Sequence, residues 1–141
     1  MEAEPAAAVP EVRTAYAGFW VRVLAAILDG LVLSAVGWLL GRGAHDDYTI
    51  STAASIVVGW LYFAFMESGR KQATLGKIVL GLIVTDEQGR RIDFARASIR
   101  HFSKYLSAIL LCIGFLMVAF DARKQGLHDK LAKTLVLRTL P

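Results

Sequence analysis

The stretch "GFWVRVLAAILDGLVL" opens an apolar run from Phe19 to Leu40 that constrains this chain more than any other feature. A bilayer core takes about 20 residues of helix, with a range of about 17–25, so the run is long enough to cross. It nevertheless carries Arg22 and Asp29. Either residue at the centre of a bilayer helix costs about 2.5–3.5 kcal/mol on insertion scales. Arg22 lies near the helix start and can extend its charge to the headgroups. Asp29 lies mid-span with a short side chain, so it must face protein or water.

Two further apolar runs follow, Ile50–Met66 and Tyr105–Phe120, the last of them short for a crossing unless it borrows from the helix before it. With 55% apolar residues in 141, the chain reads as one small membrane domain, 16–138, behind a disordered Ala/Pro/Glu-rich tail, 1–15. That tail lacks the basic and apolar regions of a cleavable signal, so the first helix is expected to insert uncleaved. The single cysteine, Cys112, sits in "LLCIGF" and reads as a packing residue. The net charge of +4 is not read as a nucleic-acid footprint. The basic residues flank apolar runs, where they meet anionic phospholipid headgroups.

Between the runs the polar segments have distinct characters. "GRGAHDDYT", 41–49, is a short loop that makes the first two helices antiparallel. In "KIVLGLIVTDEQGRRID", Ile83–Thr85 and Arg91–Asp93 predict a small hairpin turning at Gly89. "DFARASIRHFSKYL" starts with Asp93 as a helix cap and places Arg96, Arg100 and Lys104 on one stripe, predicting an interfacial helix whose cations touch headgroups. "TLVLR" near the C-terminus is strand-like and could pair with "LIVTD" if both lie on one side. Eight Lys/Arg in 67–104, against Arg42 alone in the first loop, put 67–104 and the N-terminus in the cytoplasm. Three crossings would then export a tail with five more Lys/Arg, so either the third run re-enters or the bias of 67–104 prevails.

Arg22 and Asp29, seven residues apart, share a helix face at about 10 Å along the axis, too far for direct contact. Ala26, Gly30 and Ser34 recur at every fourth position beside Asp29, a small-residue stripe suited to close helix packing within or between subunits. Three roles stay open for the charged pair: a polar lock on helix packing, a proton- or ion-handling carboxylate, and an assembly surface.

The blocks "AGFWVRVLAAILDGLVL", "TLGKIVLGLIVTDEQGRRIDFARASIR" and "FDARKQGLHDKLAKTLVL", in that order, resemble the RDD family of small prokaryotic membrane proteins over Tyr16–Arg138. That family is named for one arginine and two aspartates. The resemblance places these at Arg22, Asp29 and Asp129, with Asp121 a nearby competitor for the last. It implies a membrane protein for which transport, including cation/proton exchange, has been suggested.

The remaining motifs are read on their own terms. In "QGLHDKLAKT", Gly126 permits a close turn, and Asp129 could pair with Lys130, Lys133 or a cation of 67–104. His128 could titrate, but His128, Asp129 and distant His45, Asp46 and Asp47 make no convincing metal set. "TLGK", Thr74–Lys77, lacks the phosphate-loop spacing and reads as the start of an interfacial helix with Lys77 at headgroups. Glu67 could reach Arg70, Lys71 or Arg22, and Trp20, Trp38 and Trp60 read as interface anchors. No nucleophile–base pair or cofactor motif is present at usable spacing, so no enzyme is expected. The expected fold is an all-α membrane bundle of two to three transmembrane helices, with a cytoplasmic hairpin and a basic interfacial helix. So few helices enclose a pathway only as a homo-oligomer or within a larger complex. Two functions follow: a transport component using Asp29 tuned by Arg22, or a non-transporting scaffold or accessory subunit with Arg22, Asp29 and Asp129 as locks.

Overall fold

The structure, a computed structural model of the chain, describes residues 14–41, 48–110 and 113–140. Their order is β1 (Thr14–Tyr16), α1 (Phe19–Gly41), α2 (Tyr48–Ser68), α3 (Leu75–Val79), β2 (Leu82–Asp86), α4 (Phe94–Ile109), α5 (Ile113–Phe120), α6 (Leu127–Ala132) and β3 (Thr134–Thr139). The protein is mostly helical. Among the described residues α1 alone is long and apolar enough to cross a bilayer unaided, over Phe19–Leu39; α2 is apolar over Thr52–Ser68, and α4 and α5 reach spanning length together but meet at 103°. Of the described α1 side chains only Ala25 and Asp29 are buried, and Leu24, Ile27, Leu31, Trp38 and Leu39 are exposed. A large apolar surface of this kind is stable where lipid covers it.

The all-α expectation is corrected by a three-stranded antiparallel sheet of order β1-β3-β2. β2 pairs with β3 from Leu82↔Arg138 to Asp86↔Thr134, and β1 pairs with the other edge of β3 from Thr14↔Thr139 to Tyr16↔Leu137. The "LIVTD"–"TLVLR" pairing therefore forms, and the hairpin does not. The turn at 86–90 is made, with Asp86 Oδ1 accepting from Gln88 N (2.9 Å) and Arg90 N (2.8 Å). Arg91–Asp93 then leads into α4, because the Asp93 carboxylate caps that helix by accepting from Arg96 N at 2.7 Å. The outer edge of β2 is closed at Val84 by the Gln72 backbone carbonyl, which accepts at 2.7 Å, and by the Gln72 side-chain amide. Thr14 and Ala15, assigned to the tail, belong to β1; the rest of the tail, 1–13, and most of the first loop, 42–47, including His45, Asp46 and Asp47, lie outside the described residues, as does Cys112.

The apolar core is small. Leu82, Val84 and Val136 of the sheet pack with Ala17, Ala25, Ala64, Ile92 and Ala97. Trp60 is not an interface anchor: its Nε1 donates to Ser98 Oγ at 2.9 Å, and its ring packs on Phe94 and Phe102, tying α2 to α4. Trp20 and Trp38 are exposed.

Candidate functional site

Five charged side chains from five elements form a buried chain of alternating sign where the sheet meets the apolar helices. Arg22, in the first turn of α1, donates from Nη1 to Asp129 Oδ2, from Nη2 to the Lys124 carbonyl (2.5 Å) and from Nε to the Ala17 carbonyl (3.1 Å). Asp129 Oδ1 accepts from Arg100 Nε at 2.8 Å, and Arg100 Nη1 reaches both Glu67 oxygens at 2.6 Å. Lys77 Nζ closes the series on Glu67 Oε1 at 2.5 Å. Asp129, Glu67, Arg100 and Lys77 are all buried. Each lone member would be costly to bury, and the alternation offsets that cost.

Asp129 also accepts from Gly126 N through Oδ2 (3.1 Å), which closes the turn into α6. Arg100 and Arg22 hold its carboxyl far below the usual range against burial, which alone would raise it. Burial pushes the neighbouring His128 down to about 3, opposed in part by Asp129. Asp121 takes no part in the network. It pairs with Lys130 at 2.8 Å and caps its own turn through Arg123 N and Gln125 N.

Asp29 forms a second, separate cluster. Its Oδ1 accepts from Tyr62 Oη and Gly76 N, both at 2.8 Å, and its Oδ2 accepts from Thr74 Oγ1 at 2.6 Å. The mid-span carboxylate is thus held by two hydroxyls and one backbone N–H, and none of these donors is a cation. Gly76 makes this possible: a Cβ there would lie 2.3 Å from the Ala25 carbonyl and 3.0 Å from the Asp29 carboxyl. "TLGK" is therefore the segment that seats α3 on α1.

Several expectations change with this geometry. Arg100 is no headgroup contact, since it is 2% exposed and bound to two carboxylates. Lys77 is likewise buried on Glu67 and away from any headgroup. Lys104 is half-buried, with Nζ 4.3 Å above the Phe63 ring. Arg96 remains partly exposed, 3.9 Å from Asp86. The stripe of Ala26, Gly30 and Ser34 is exposed, and among the described residues a Cβ at Gly30 would meet nothing within 4 Å. The close approach runs one residue earlier, at Ala25 and Asp29. Sequence reasoning missed the Glu67–Arg100 and Asp29–Tyr62–Thr74 contacts. The signal for the first was available, because a carboxylate at the end of an apolar run needs a cation, and α4 offered three on one stripe.

Beside the network lies a cavity of about 490 Å³ lined by all six helices and β3, with Arg22, Asp29, Lys77, Arg100 and Lys104 among its walls. Among the described residues no three His, Cys, Asp or Glu side chains converge as a metal set.

A family model described as RDD family matches residues 16–133. The chain belongs to the RDD family. Among RDD relatives, the Bacillus subtilis protein YxaI, an uncharacterized protein, is 34% identical over 86% of this chain and 96% of its own length. The uncharacterized membrane protein YteJ of the same organism is 34% identical over 87% of this chain and 81% of its own. The proline-rich antigen of Mycobacterium leprae is 26% identical over 84% of this chain but 60% of its own length. No solved structure matches. The family and the exposed apolar length of α1 together make this a membrane protein.

Proposed function

We propose that this RDD protein is a multi-pass, non-enzymatic scaffold or accessory subunit of the cell (inner) membrane, with its buried charges acting as locks on helix packing and its N-terminus in the cytoplasm. The observation that carries this reading is the binding of both Asp29 oxygens: three donors hold them, and each tethers α1 to α2 or to the start of α3. A carboxylate used in this way is a fastening. The sheet supports two crossings followed by a re-entrant third segment. β1 precedes α1, β2 follows α2 and β3 follows the bent α4–α5 pair, yet all three strands share one sheet. On that topology the five Lys/Arg of the C-terminal tail stay with those of 67–104, as the positive-inside rule asks. The exposed Ala26, Gly30 and Ser34 then offer a face for a second copy or a larger complex.

The cavity reaching Asp29 favours a second reading, a transport component for cations or protons. Purified protein in liposomes separates the two. The scaffold reading expects no pH- or cation-dependent flux above protein-free vesicles. Flux that disappears in Asp29→Asn while the variant stays folded would replace it with transport. Topology is tested in a Cys112→Ala background with an impermeant thiol reagent on intact cells. A cysteine at position 45 should label and one at Thr139 should not; external labelling at Thr139 means three full crossings.

A further inference from the structure

The cavity beside the charge network has walls of two kinds. Four cations line it, Arg22, Lys77, Arg100 and Lys104, against the single carboxylate of Asp29. Arg22, Arg100 and Lys77 spend their charge on Asp129 and Glu67, and both oxygens of Asp29 are bound by its three donors. Lys104 differs: among the described residues no carboxylate lies within ion-pair distance of it, and its ammonium sits over the face of Phe63. Two more polar groups are unused. His101 and His128 both line the cavity, are 7% and 4% exposed, and each keeps a buried Nδ1 with no hydrogen-bond partner. Both nitrogens are closed off from the space itself, so the polar group it offers an occupant is the Lys104 ammonium, which asks for an acceptor.

The rest of the lining is apolar, with Phe19, Val23, Phe115 and Leu116 among it. Its two exposed members are Ala26 on α1 and Leu116 on α5. The mouth therefore opens between two apolar helices, on the surface that lipid covers, and a freely hydrated ion would have to enter through hydrocarbon. A volume of about 490 Å³ falls within the about 300–1,000 Å³ of ordinary small-ligand sites.

We propose that this cavity binds one amphiphile with an anionic phosphate or carboxylate head and an apolar chain, the head held by Lys104 and the chain leaving between Ala26 and Leu116. The site goes beyond the scaffold reading and does not depend on it, since a locked bundle can carry a bound lipid whether or not it moves ions. Lys104 supplies the charge that selects the head, and the aromatic ring beneath it fixes the ammonium in place.

The full chain in a neutral maltoside detergent provides the test, with thermal unfolding followed by tryptophan fluorescence. It is titrated with oleate, oleoyl-lysophosphatidate, uncharged monooleoylglycerol and inorganic phosphate. Oleate or the lysophosphatidate should raise the Tm saturably, at a half-saturating concentration about tenfold or more below that of monooleoylglycerol. Phosphate alone at the same concentration should not. A response to oleate only assigns a carboxylate head, and one to the lysophosphatidate only assigns a phosphate. Lys104→Met should abolish the tenfold preference. Leu116→Trp, a change at the exposed mouth that leaves every charge in place, should weaken both anionic amphiphiles alike. The proposal is overturned if monooleoylglycerol matches the anionic compounds, if free phosphate stabilises as well as they do, or if Leu116→Trp binds them unchanged. The headgroup comparison and Leu116→Trp decide it even where Lys104→Met fails to fold.

Discussion

In the sheet, Leu82, Val84 and Val136 point inward and Arg138 and Thr139 are exposed; along α4 the order is inverted, with Arg100 and His101 buried and Ile99, Phe102, Tyr105 and Leu106 exposed. The sheet follows the rule for water, in which apolar side chains leave the solvent, and its buried charge, Asp86, sits at the strand end and pairs with the exposed Arg90. α4 follows the opposite arrangement, which suits a helix whose outer face meets hydrocarbon and whose charges must find one another. The two regions meet at the chain of Arg22, Asp129, Arg100, Glu67 and Lys77. The apolar core is confined to the sheet and the residues beneath it, and on the helical side the charge network takes over the task of holding elements together.

The comparison predicts that charge changes in the helical region cost most. Glu67→Gln leaves Arg100 and Lys77 short of a partner and should lower unfolding stability by about 3–5 kcal/mol, read as a large fall in Tm in detergent. An effect as small as that of neutralising the exposed Arg90 in the sheet-end turn would erase the distinction between the two regions. Arg22→Gln and Asp129→Asn share one contact, so their double variant should be less damaging than the two single losses summed, and strict additivity would show that they act apart.

Next in size is the packing of α3 on α1. Gly76→Ala forces its methyl group against the Ala25 carbonyl and should cost about 1–3 kcal/mol. Gly30→Leu, on open surface, should leave the stability of the single subunit unchanged. A loss confined to detergent-resistant assembly would assign the stripe to a contact between copies. In the apolar core Ile92→Val should cost only about 0.5–1.5 kcal/mol, measured by the same unfolding assay.

A pH effect sharpens the boundary between the regions. His128 is held neutral in the folded chain, pushed down to about 3, while the unfolded chain binds its proton near about 6.5. Unfolded molecules therefore take up more protons through this window, and stability falls as pH drops from about 6.5 toward 3. The carboxyl of Asp129, held low by its arginines, adds a loss of the same sign only below its unfolded value of about 3.9. Between pH 7 and 5 the slope of Tm against pH should be shallower in His128→Gln than in the parent chain. Equal slopes would place His128 in contact with water.

The residues that could be read in the sequence were those whose constraint is local. The first helix, the cap at Asp93, the turn after Asp86 and the strand character of "LIVTD" and "TLVLR" all follow from neighbours a few positions away. Asp29's need for a buried partner was also legible, because hydrocarbon leaves a mid-span carboxylate little choice. Its actual partners, Tyr62, Thr74 and Gly76, were not legible, since hydroxyls and a backbone N–H carry no charge signature. Arg100 and Lys77 were placed at headgroups because a basic stripe next to apolar residues has two stable orientations. The deciding carboxylates, Glu67 and Asp129, lie 33 and 29 positions from Arg100. β1 was missed because three residues of "TAY" become a strand only when β3 is beside them.

The central strand of the sheet is also the last to be made. β3 emerges from the ribosome after every helix, and until then β1 and β2 have no strand to pair with. Arg22 likewise waits for Asp129, 107 positions downstream. During synthesis the nascent chain must therefore hold its first helix at the bilayer with that guanidinium unmatched, near enough to the surface for headgroups and water to solvate it. Completion of α6 and β3 then acts as a single fastening event, joining β1 to β3 and Arg22 to its aspartate. A chain that stalls or is cut before Gln125 has neither β3 nor Asp129, and so leaves the edges of β1 and β2 and the Arg22 guanidinium without their partners.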